Sequence, residues 1–226
     1  MNILLYRIAT LGLTKGPHIT RYSMYQCLSK YSETRPEDHR VLSISHSEQL
    51  ARLLGYSSDQ IINVEYPQVS ILSLPFENDT FDAVVSDQVL EHIKGDPFAA
   101  VKETFRVVKP GGIVLHTTCL INPLHGEPMD HWRFTPYGLR LLIQGQGKVI
   151  DAEGWGNPYV WPFCFLGLRF LRIPHATWHP AHWLATKNNK KWLISTWVLA
   201  RKSAYERLSS ESGKAEVLAQ RDYPKL

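Results

Sequence analysis

The clearest pattern of apolar positions lies in the middle of the chain. The run from Phe81 to Ser86 (FDAVVS) is rich in aromatic and β-branched residues, which is typical of a short buried strand. Asp96 and Pro97 fit the N-cap and the first position of a helix. Apolar residues then recur at helical spacing, at Phe98, Val101, Phe105 and Val108. Pro110-Gly111-Gly112 ends this helix before the next strand, so the segment predicts a βαβ unit of a parallel sheet.

Shorter apolar runs on either side predict the remaining elements. The predicted flanking strands are Arg40–Ile44, Ile61–Glu65, Gln68–Leu72, Lys148–Ile150 and Trp192–Ala200. Leucines before Gly55 predict a short helix from Glu48, and tyrosines between Arg21 and Tyr31 predict another near the start. We expect one mostly parallel, doubly wound α/β domain over residues 41–201. A helical lid (1–40) precedes it, and a charged tail (202–226), which could form a surface helix over 204–218, follows it.

Composition limits the class of protein. The 226 residues are 44% hydrophobic and 20% charged, which suits a soluble globular domain. A net charge of +4 is too small to indicate a nucleic-acid partner. Three separated cysteines suggest neither disulfides nor a CxxC site and fit a reducing cytoplasm. Arg7 interrupts the first apolar run, so we expect no signal peptide, and no run is long enough to span a membrane.

Two strings in the central segment resemble a known family. LPFENDTFDAVVSDQVLEHI and FRVVKPGGIVL resemble the middle of class I S-adenosylmethionine-dependent methyltransferases of the type 11 kind. The resemblance implies a Rossmann-like sheet of about seven strands, with the last strand inserted antiparallel. It also implies S-adenosyl-L-methionine as cofactor and methyl transfer as activity.

The resemblance assigns cofactor contacts to several positions. Glu65, at the end of the second strand, would hold the ribose hydroxyls, and Ile71 would flank the adenine. Ser70 lies at the adenine edge, where the family often has Asp, so this position departs from the family pattern. Asp87 and Gln88, after the fourth strand, would face the sulfonium and the acceptor.

The first loop departs from the family pattern. The family has an acid and then a G-x-G-x-G loop, whereas this chain has Ser43 followed by Ser45-His46-Ser47, with no glycine from Val41 to Leu54. Those glycines let the backbone turn tightly and approach the cofactor. The spacing of Ser45 and Glu48 also matches a capping box. Either the altered loop binds the cofactor, or tight binding has been lost.

The loop from Asn122 to Pro136 has the highest density of candidate catalytic and acceptor-binding side chains. Its HWRFTP string resembles a subset of the family in which this loop covers the cleft. Asp130 and His131 could position or deprotonate an acceptor hydroxyl, and His116 after strand five is a second candidate base. Candidate acceptor contacts are Trp132, Arg133 and, from the lid, Tyr25. Alternatively, Trp132 fills an edge of the core and Arg133 pairs with an acid.

Residues 155–191 are unusually aromatic. His175, His179 and His182 have a spacing that could suit a metal, but Pro180 interrupts the helix and no acid or cysteine completes the set, so we expect no metal. The segment could line an acceptor pocket, or form a protein interface or membrane-surface patch.

We therefore expect methyl transfer to a small-molecule or saccharide acceptor, at oxygen. The alternative is an inactive subunit of the same fold that binds a partner or glycan. The oligomeric state is left open.

Overall fold

The computed structural model describes residues 3–126 and 129–203. Six strands form its main sheet, in the order β3-β2-β4-β5-β8-β6. Strands β2, β3, β4 and β5 run parallel, and β8 is inserted antiparallel between β5 and β6. The bounds are β2 Val41–Ile44, β3 Ile61–Val64, β4 Phe81–Asp87, β5 Val108–Cys119, β6 Gly147–Trp155 and β8 Ser195–Lys202.

Helices cover both faces of this sheet. One layer contains α4 (Pro97–Val107) and α5 (Pro136–Ile143), which pack on the face that carries Leu42 and Val84. The other layer packs on the face that carries Val41 and Val85, and it contains α2 Ile19–Leu28, α3 Glu48–Leu53, α6 Val160–Phe165 and α7 Pro180–Thr186. Because adjacent strand residues point to opposite faces, each strand supplies both cores.

The central βαβ prediction is confirmed. Asp96 caps α4 by accepting a hydrogen bond from the amide of Phe98 (2.8 Å), and Pro97 is the first helical residue. The doubly wound α/β class and the antiparallel last strand are also confirmed, and the expected count of about seven strands is close to the six observed. The strand predicted at Gln68–Leu72 is wrong, because this segment forms turns with one isolated bridge, Ser70 to Ser73.

The first forty residues contain a strand as well as helices. Helix α1 (Ile3–Ala9) precedes β1 (Lys15–His18), which pairs antiparallel with β7 (Arg172–Pro174) in a second, two-stranded sheet. Short 3-10 helices lie at Ser29–Tyr31, Ser58–Gln60 and Leu90–His92. The N-terminal segment therefore packs on the aromatic segment as well as on the sheet. Residues 204–226, including the helix predicted there, lie outside the described residues, and the division into lid, domain and tail stays a prediction.

Candidate functional site

A cavity of about 680 Å³ opens at the carboxyl ends of three neighbouring parallel strands. Its walls come from the residues that follow β2, β3 and β4, at the sheet edge where open α/β folds bind ligands. Of the residues predicted from sequence, the cavity brings together Ser45, His46, Glu65, Ser70, Ile71, Gln88 and His131. It is also lined by residues that the sequence analysis did not single out, among them Tyr66, His92 and Met129.

The loop after β2 keeps a left-handed turn without glycine. Ser45 has φ 51° and His46 has φ 59°, values that L-residues with a side chain adopt at a cost of about 1–2 kcal/mol each. The turn is held by the Ser45 amide, which donates to the carbonyl of Val64 (2.8 Å). The backbone thus follows the path that glycines would favour. The predicted capping box is wrong, because the N-cap of α3 is Ser47 and no side chain caps this helix.

The carboxylate of Glu65 faces the cavity. Glu65 follows β3 directly, and its side chain is about half exposed. Its Oε1 lies 3.0 Å from Nδ1 of His46, which is on the turn just described. A carboxylate at this strand end offers two acceptor oxygens to a diol. A diol bound there would compete with His46 for the Glu65 carboxylate.

Ser70 and Ile71 form the wall beyond Glu65, on the segment that makes turns. The hydroxyl of Ser70 accepts from the amide of Leu72 (3.2 Å), and Ile71 is 8% exposed. On the opposite side, Gln88 has φ 60°, and its amide donates to the carbonyl of Thr117 (2.9 Å). The wall with Ser70 and Ile71 and the wall with Gln88 therefore face each other across the cavity, from beyond the ends of β3 and β4.

Asp87 does not face the cavity, contrary to expectation. Its Oδ2 accepts hydrogen bonds from Tyr25 and from Nε of Arg21 (3.1 Å), while Oδ1 accepts from Thr117 (2.5 Å). Tyr25 is likewise buried, so it is tied to Asp87 rather than offered to an acceptor. Burial, followed by the neighbouring carboxylate, raises the pKa of Tyr25 well above its usual value. Asp87 thus fastens α2 to the sheet.

Two serines of the first loop are also internal. Ser47 donates to the carbonyl of Ile44 (2.5 Å) and accepts from the amide of Asp87 (2.7 Å), so it joins the ends of β2 and β4. Ser43 is fully buried within β2, and its hydroxyl has no hydrogen-bond partner among the described residues. Neither residue lines the cavity, which corrects their assignment as cofactor contacts.

His116 is a core residue. It is fully buried in β5, where Nδ1 lies 2.7 Å from the Ser86 hydroxyl and Nε2 lies 3.2 Å from that of Thr104. Burial lowers the pKa of His116 to about 3. With both ring nitrogens occupied by core hydroxyls, it cannot reach an acceptor, and its assignment as a general base is corrected.

Some residues of the loop after β5 hold the loop together, and others line the cavity. The Asp130 carboxylate forms a bidentate pair with the guanidinium of Arg133, and its Oδ2 also lies 3.0 Å from His125 Nδ1. Hydrogen bonds from Arg133 lower the pKa of Asp130 to about 2. Asp130 is therefore a poor base, and Arg133 pairs with an acid, as the alternative interpretation held.

His131, together with Met129, reaches the cavity from this loop. Its side chain is exposed there. Trp132 instead stacks near Phe134 (6.1 Å between ring centroids) and lines a separate apolar groove of about 500 Å³ beside α4 and α5. The assignment of Trp132 as an acceptor contact is thus corrected. Of the three predicted catalytic residues, His131, His116 and Asp130, only His131 lines the cavity.

Glu91 is a residue that the sequence analysis passed over. It is fully buried, and burial raises the pKa of its carboxyl. Its Oε2 accepts from Thr118 (2.8 Å), whereas Oε1 has no partner within the described part of the chain. Its carbonyl accepts from the amides of His131 (2.7 Å) and Trp132 (3.0 Å). Glu91 therefore fixes the loop after β5 beside the cavity, a role for which the LEH string gave no local signal.

The three histidines of the aromatic segment make structural contacts. The Tyr22 hydroxyl lies between Nδ1 of His175 (2.9 Å) and Nδ1 of His182 (3.0 Å), and His179 caps α7. Potential metal ligands approach within 4.8 Å of one another elsewhere, as Glu91-Cys119-His125 and His92-His125-Asp130. The Arg133 guanidinium pairs with Asp130 and faces Glu91 and Cys119, and its charge opposes a cation at either place.

Comparison with known proteins gives one consistent result. A family profile described as a methyltransferase domain matches residues 27–116. An uncharacterized methyltransferase of Schizosaccharomyces pombe is 27% identical over 180 residues, which cover 77% of this chain and 60% of that protein. A probable S-adenosylmethionine-dependent methyltransferase of Mycolicibacterium smegmatis is 36% identical over 46% of each chain. A ubiquinone biosynthesis O-methyltransferase of Pseudomonas fluorescens is 41% identical over 27% of each. The chain thus spans 60% or less of the length of these relatives.

Solved structures share the fold at low identity. The [4+2]-cyclase SpnF superimposes with a TM-score of 0.53 and 16% identity, over 81% of this chain and 82% of that one. A putative methyltransferase from Haloferax volcanii, solved with its Trm112 activator, gives 0.54 and 14%, over 83% and 91%. The sequence matches thus make this chain similar to S-adenosylmethionine-dependent methyltransferases over residues 27–116, and its strand order and the cavity at the strand ends agree with the fold of the solved structures.

Proposed function

We propose that this chain binds S-adenosylmethionine in the cavity and transfers its methyl group to the oxygen of a small-molecule or saccharide acceptor. The observation that carries the proposal is the convergence of Glu65, Ile71 and the left-handed Ser45-His46 turn on one cavity at three strand ends. Glu65 would hold the ribose hydroxyls, and Ser70 and Ile71 would flank the adenine. The turn, which needs no glycine to keep its path, would lie at the methionine end.

The cofactor supplies a methyl group already activated on a sulfonium. The chain therefore has to orient the acceptor oxygen for in-line attack, and positioning of this kind supplies several kcal/mol of barrier lowering. The new O–CH₃ bond forms as the S–CH₃ bond breaks, and the hydroxyl proton passes to a base. His131 is exposed in the cavity on a loop that Glu91 holds in place, so we assign the proton to its imidazole.

Calorimetric titration with S-adenosylmethionine tests the binding step. Glu65→Ala should weaken binding by about 1.5–3 kcal/mol, the worth of hydrogen bonds to a charged group, or roughly 10- to 150-fold in Kd. Glu37→Ala is the matched control, since Glu37 is an exposed carboxylate before the amino end of β2, at the opposite edge of the sheet. Folded protein that shows no binding at millimolar cofactor would refute the proposal.

The transfer step needs a separate measurement. Release of S-adenosylhomocysteine, followed across a panel of phenolic and saccharide hydroxyls, identifies the acceptor class. His131→Gln should bind the cofactor like the unaltered chain while losing turnover. Equal turnover in the two proteins would exclude His131 as the base.

A second candidate function is a chain that keeps the fold without the transfer and binds a partner or glycan through residues 155–191. Two observations favour it: the contact between His46 and Glu65, and the exposure of Tyr159, Trp178 and Trp183. One superimposable structure, SpnF, is described as a cyclase, so this fold also serves other reactions. Absence of cofactor binding in the titration above, with retained folding, selects this candidate.

A further inference from the structure

Two segments of the chain contain no acidic residue. Residues 1–32 and 154–203 hold no Asp or Glu, but they contain eleven Lys and Arg. The other fourteen basic residues and all twenty-one acidic residues lie elsewhere in the sequence. A net charge of +4 for the whole chain therefore conceals a strong separation of charge.

These two segments pack against each other. β1 pairs with β7, the amide of His175 donates to the carbonyl of Thr14 (2.9 Å), and the ring of Tyr6 in α1 lies 5.9 Å from that of Phe163 in α6. We call the joined surface of residues 3–18 and 159–192 the acid-free face. Because α1, Thr14 and β1 each contact the later segment, the two segments form one packed unit.

The acid-free face also exposes large apolar side chains. Leu11 is 83% exposed, Phe165 is 85% exposed and Phe170 is 73% exposed. Other strongly exposed apolar residues on this face are Leu4, Leu5, Ile8 and Trp178. Summed over these seven side chains, the exposed area is on the order of 1,000 Å², distributed along the two packed segments, whereas a typical monomer gathers roughly 300–600 Å² in its largest apolar patch. An area of this size indicates an interaction site.

Cations lie among the apolar groups. The Arg169 guanidinium lies 5.3 Å from the centre of the Phe170 ring, and Lys187 Nζ lies 4.5 Å from that of Trp183. A second copy of the chain would bring like charges together on such a face, which costs free energy. A bilayer with anionic headgroups complements both features, since it accepts apolar side chains below the headgroups and attracts Lys and Arg at their level.

We propose that the acid-free face docks on the surface of an anionic phospholipid bilayer. Within residues 3–126 and 129–203, no helix is long and apolar enough to cross a membrane. The face adjoins the acceptor side of the cleft, because Arg169 donates to the side chain of Asn122 (2.6 Å) in the loop after β5. Docking therefore places this loop near the bilayer. The proposal does not depend on methyl transfer.

Sedimentation with vesicles tests the charge requirement. The full chain should sediment with vesicles of phosphatidylcholine and phosphatidylglycerol and stay in solution with phosphatidylcholine alone. Binding should weaken strongly at about 1 M salt, where the screening length falls to about 3 Å. Equal binding to both kinds of vesicle, or no binding to either, overturns the proposal.

Paired variants test the location. Leu11→Glu combined with Phe165→Glu should lower the partition constant at least tenfold, because each replaces an apolar group that enters the bilayer with a carboxylate. Phe98→Glu is the matched control: Phe98 is 54% exposed on α4, in the helix layer on the other face of the sheet, and its replacement should leave partitioning unchanged. Circular dichroism establishes that each variant is folded.

Light scattering on the same proteins distinguishes the other occupants. A monomer that partitions onto anionic vesicles supports the proposal. A dimer that the double variant dissociates, without vesicle binding, assigns the face to a second copy and overturns it. Vesicle binding that the double variant retains also overturns it, since the docking surface would then lie elsewhere.

Discussion

Replacing Asp87 by Asn should destabilise the fold rather than simply weaken cofactor binding. The side chain of Asp87 is 10% exposed and accepts hydrogen bonds from Arg21, Tyr25 and Thr117. The Asp87 carboxylate keeps the pKa of Arg21 above its usual value, although burial by itself would lower it. The substitution therefore leaves the Arg21 guanidinium without the carboxylate to which it is hydrogen-bonded, in a largely buried place.

Removing one member of a buried ion pair costs about 3–5 kcal/mol. The Arg21 side chain keeps 19% of its surface exposed, so the lower end applies, and we expect a loss of about 3 kcal/mol in the free energy of unfolding. For a chain of this size the loss lowers Tm by roughly 6–12 °C. Urea unfolding followed by tryptophan fluorescence, with Trp155 and Trp197 buried, measures it directly.

Asp82→Asn is the internal control, because Asp82 lies on the same strand at its amino end. Its partner Lys109 is 44% exposed, and water screens the pair, so we expect a loss of about 1 kcal/mol or less from that ion pair. If Asp87→Asn costs no more than Asp82→Asn, Asp87 does not fasten α2 to the sheet. If it also leaves stability unchanged while abolishing cofactor binding, the original assignment of Asp87 as a cofactor contact is restored.

Three further predictions follow from the same contacts. Ser43→Ala should raise the free energy of unfolding by about 1 kcal/mol, because it removes a buried hydroxyl without a partner in the described chain, and it should leave cofactor affinity unchanged; reduced affinity in a titration would return Ser43 to the site. His116, with its pKa lowered to about 3 by burial, takes up a proton below about pH 6.5 only when the chain unfolds. Stability should therefore fall as the pH drops from 6.5 toward 4, by up to about 1.4 kcal/mol per pH unit, and urea midpoints that stay constant over this range would contradict the assignment. His46→Gly should tighten S-adenosylmethionine binding by about fivefold, or roughly 1 kcal/mol, since it frees Glu65 and supplies the left-handed turn without a Cβ; weaker binding would mean that His46 itself contacts the cofactor.

The loop after β2 contains no glycine, yet its backbone keeps the left-handed turn that glycines would favour. Glycine is favoured in a left-handed turn, but it is not required when surrounding contacts hold the turn. Here the Ser45 amide is bound to Val64, and Ser47 joins the loop to both neighbouring strands. The cost is paid locally, in two residues with positive φ, and the cavity is retained.

The sequence by itself determined the βαβ centre, the α/β class and the position of Glu65, because hydrophobic periodicity, helix caps and strand ends are local properties. The strand predicted at Gln68–Leu72 was wrong, because the apolar residues of this segment lie in turns. The sequence could not decide between cavity and core for polar residues at strand ends. Asp87, Ser47 and His116 occupy positions where a ligand contact and a buried hydrogen bond need the same residue types. Only the packing of α2, α4 and the central strands settled which side Asp87 and His116 face, since their partners lie 12 to 66 residues away in sequence.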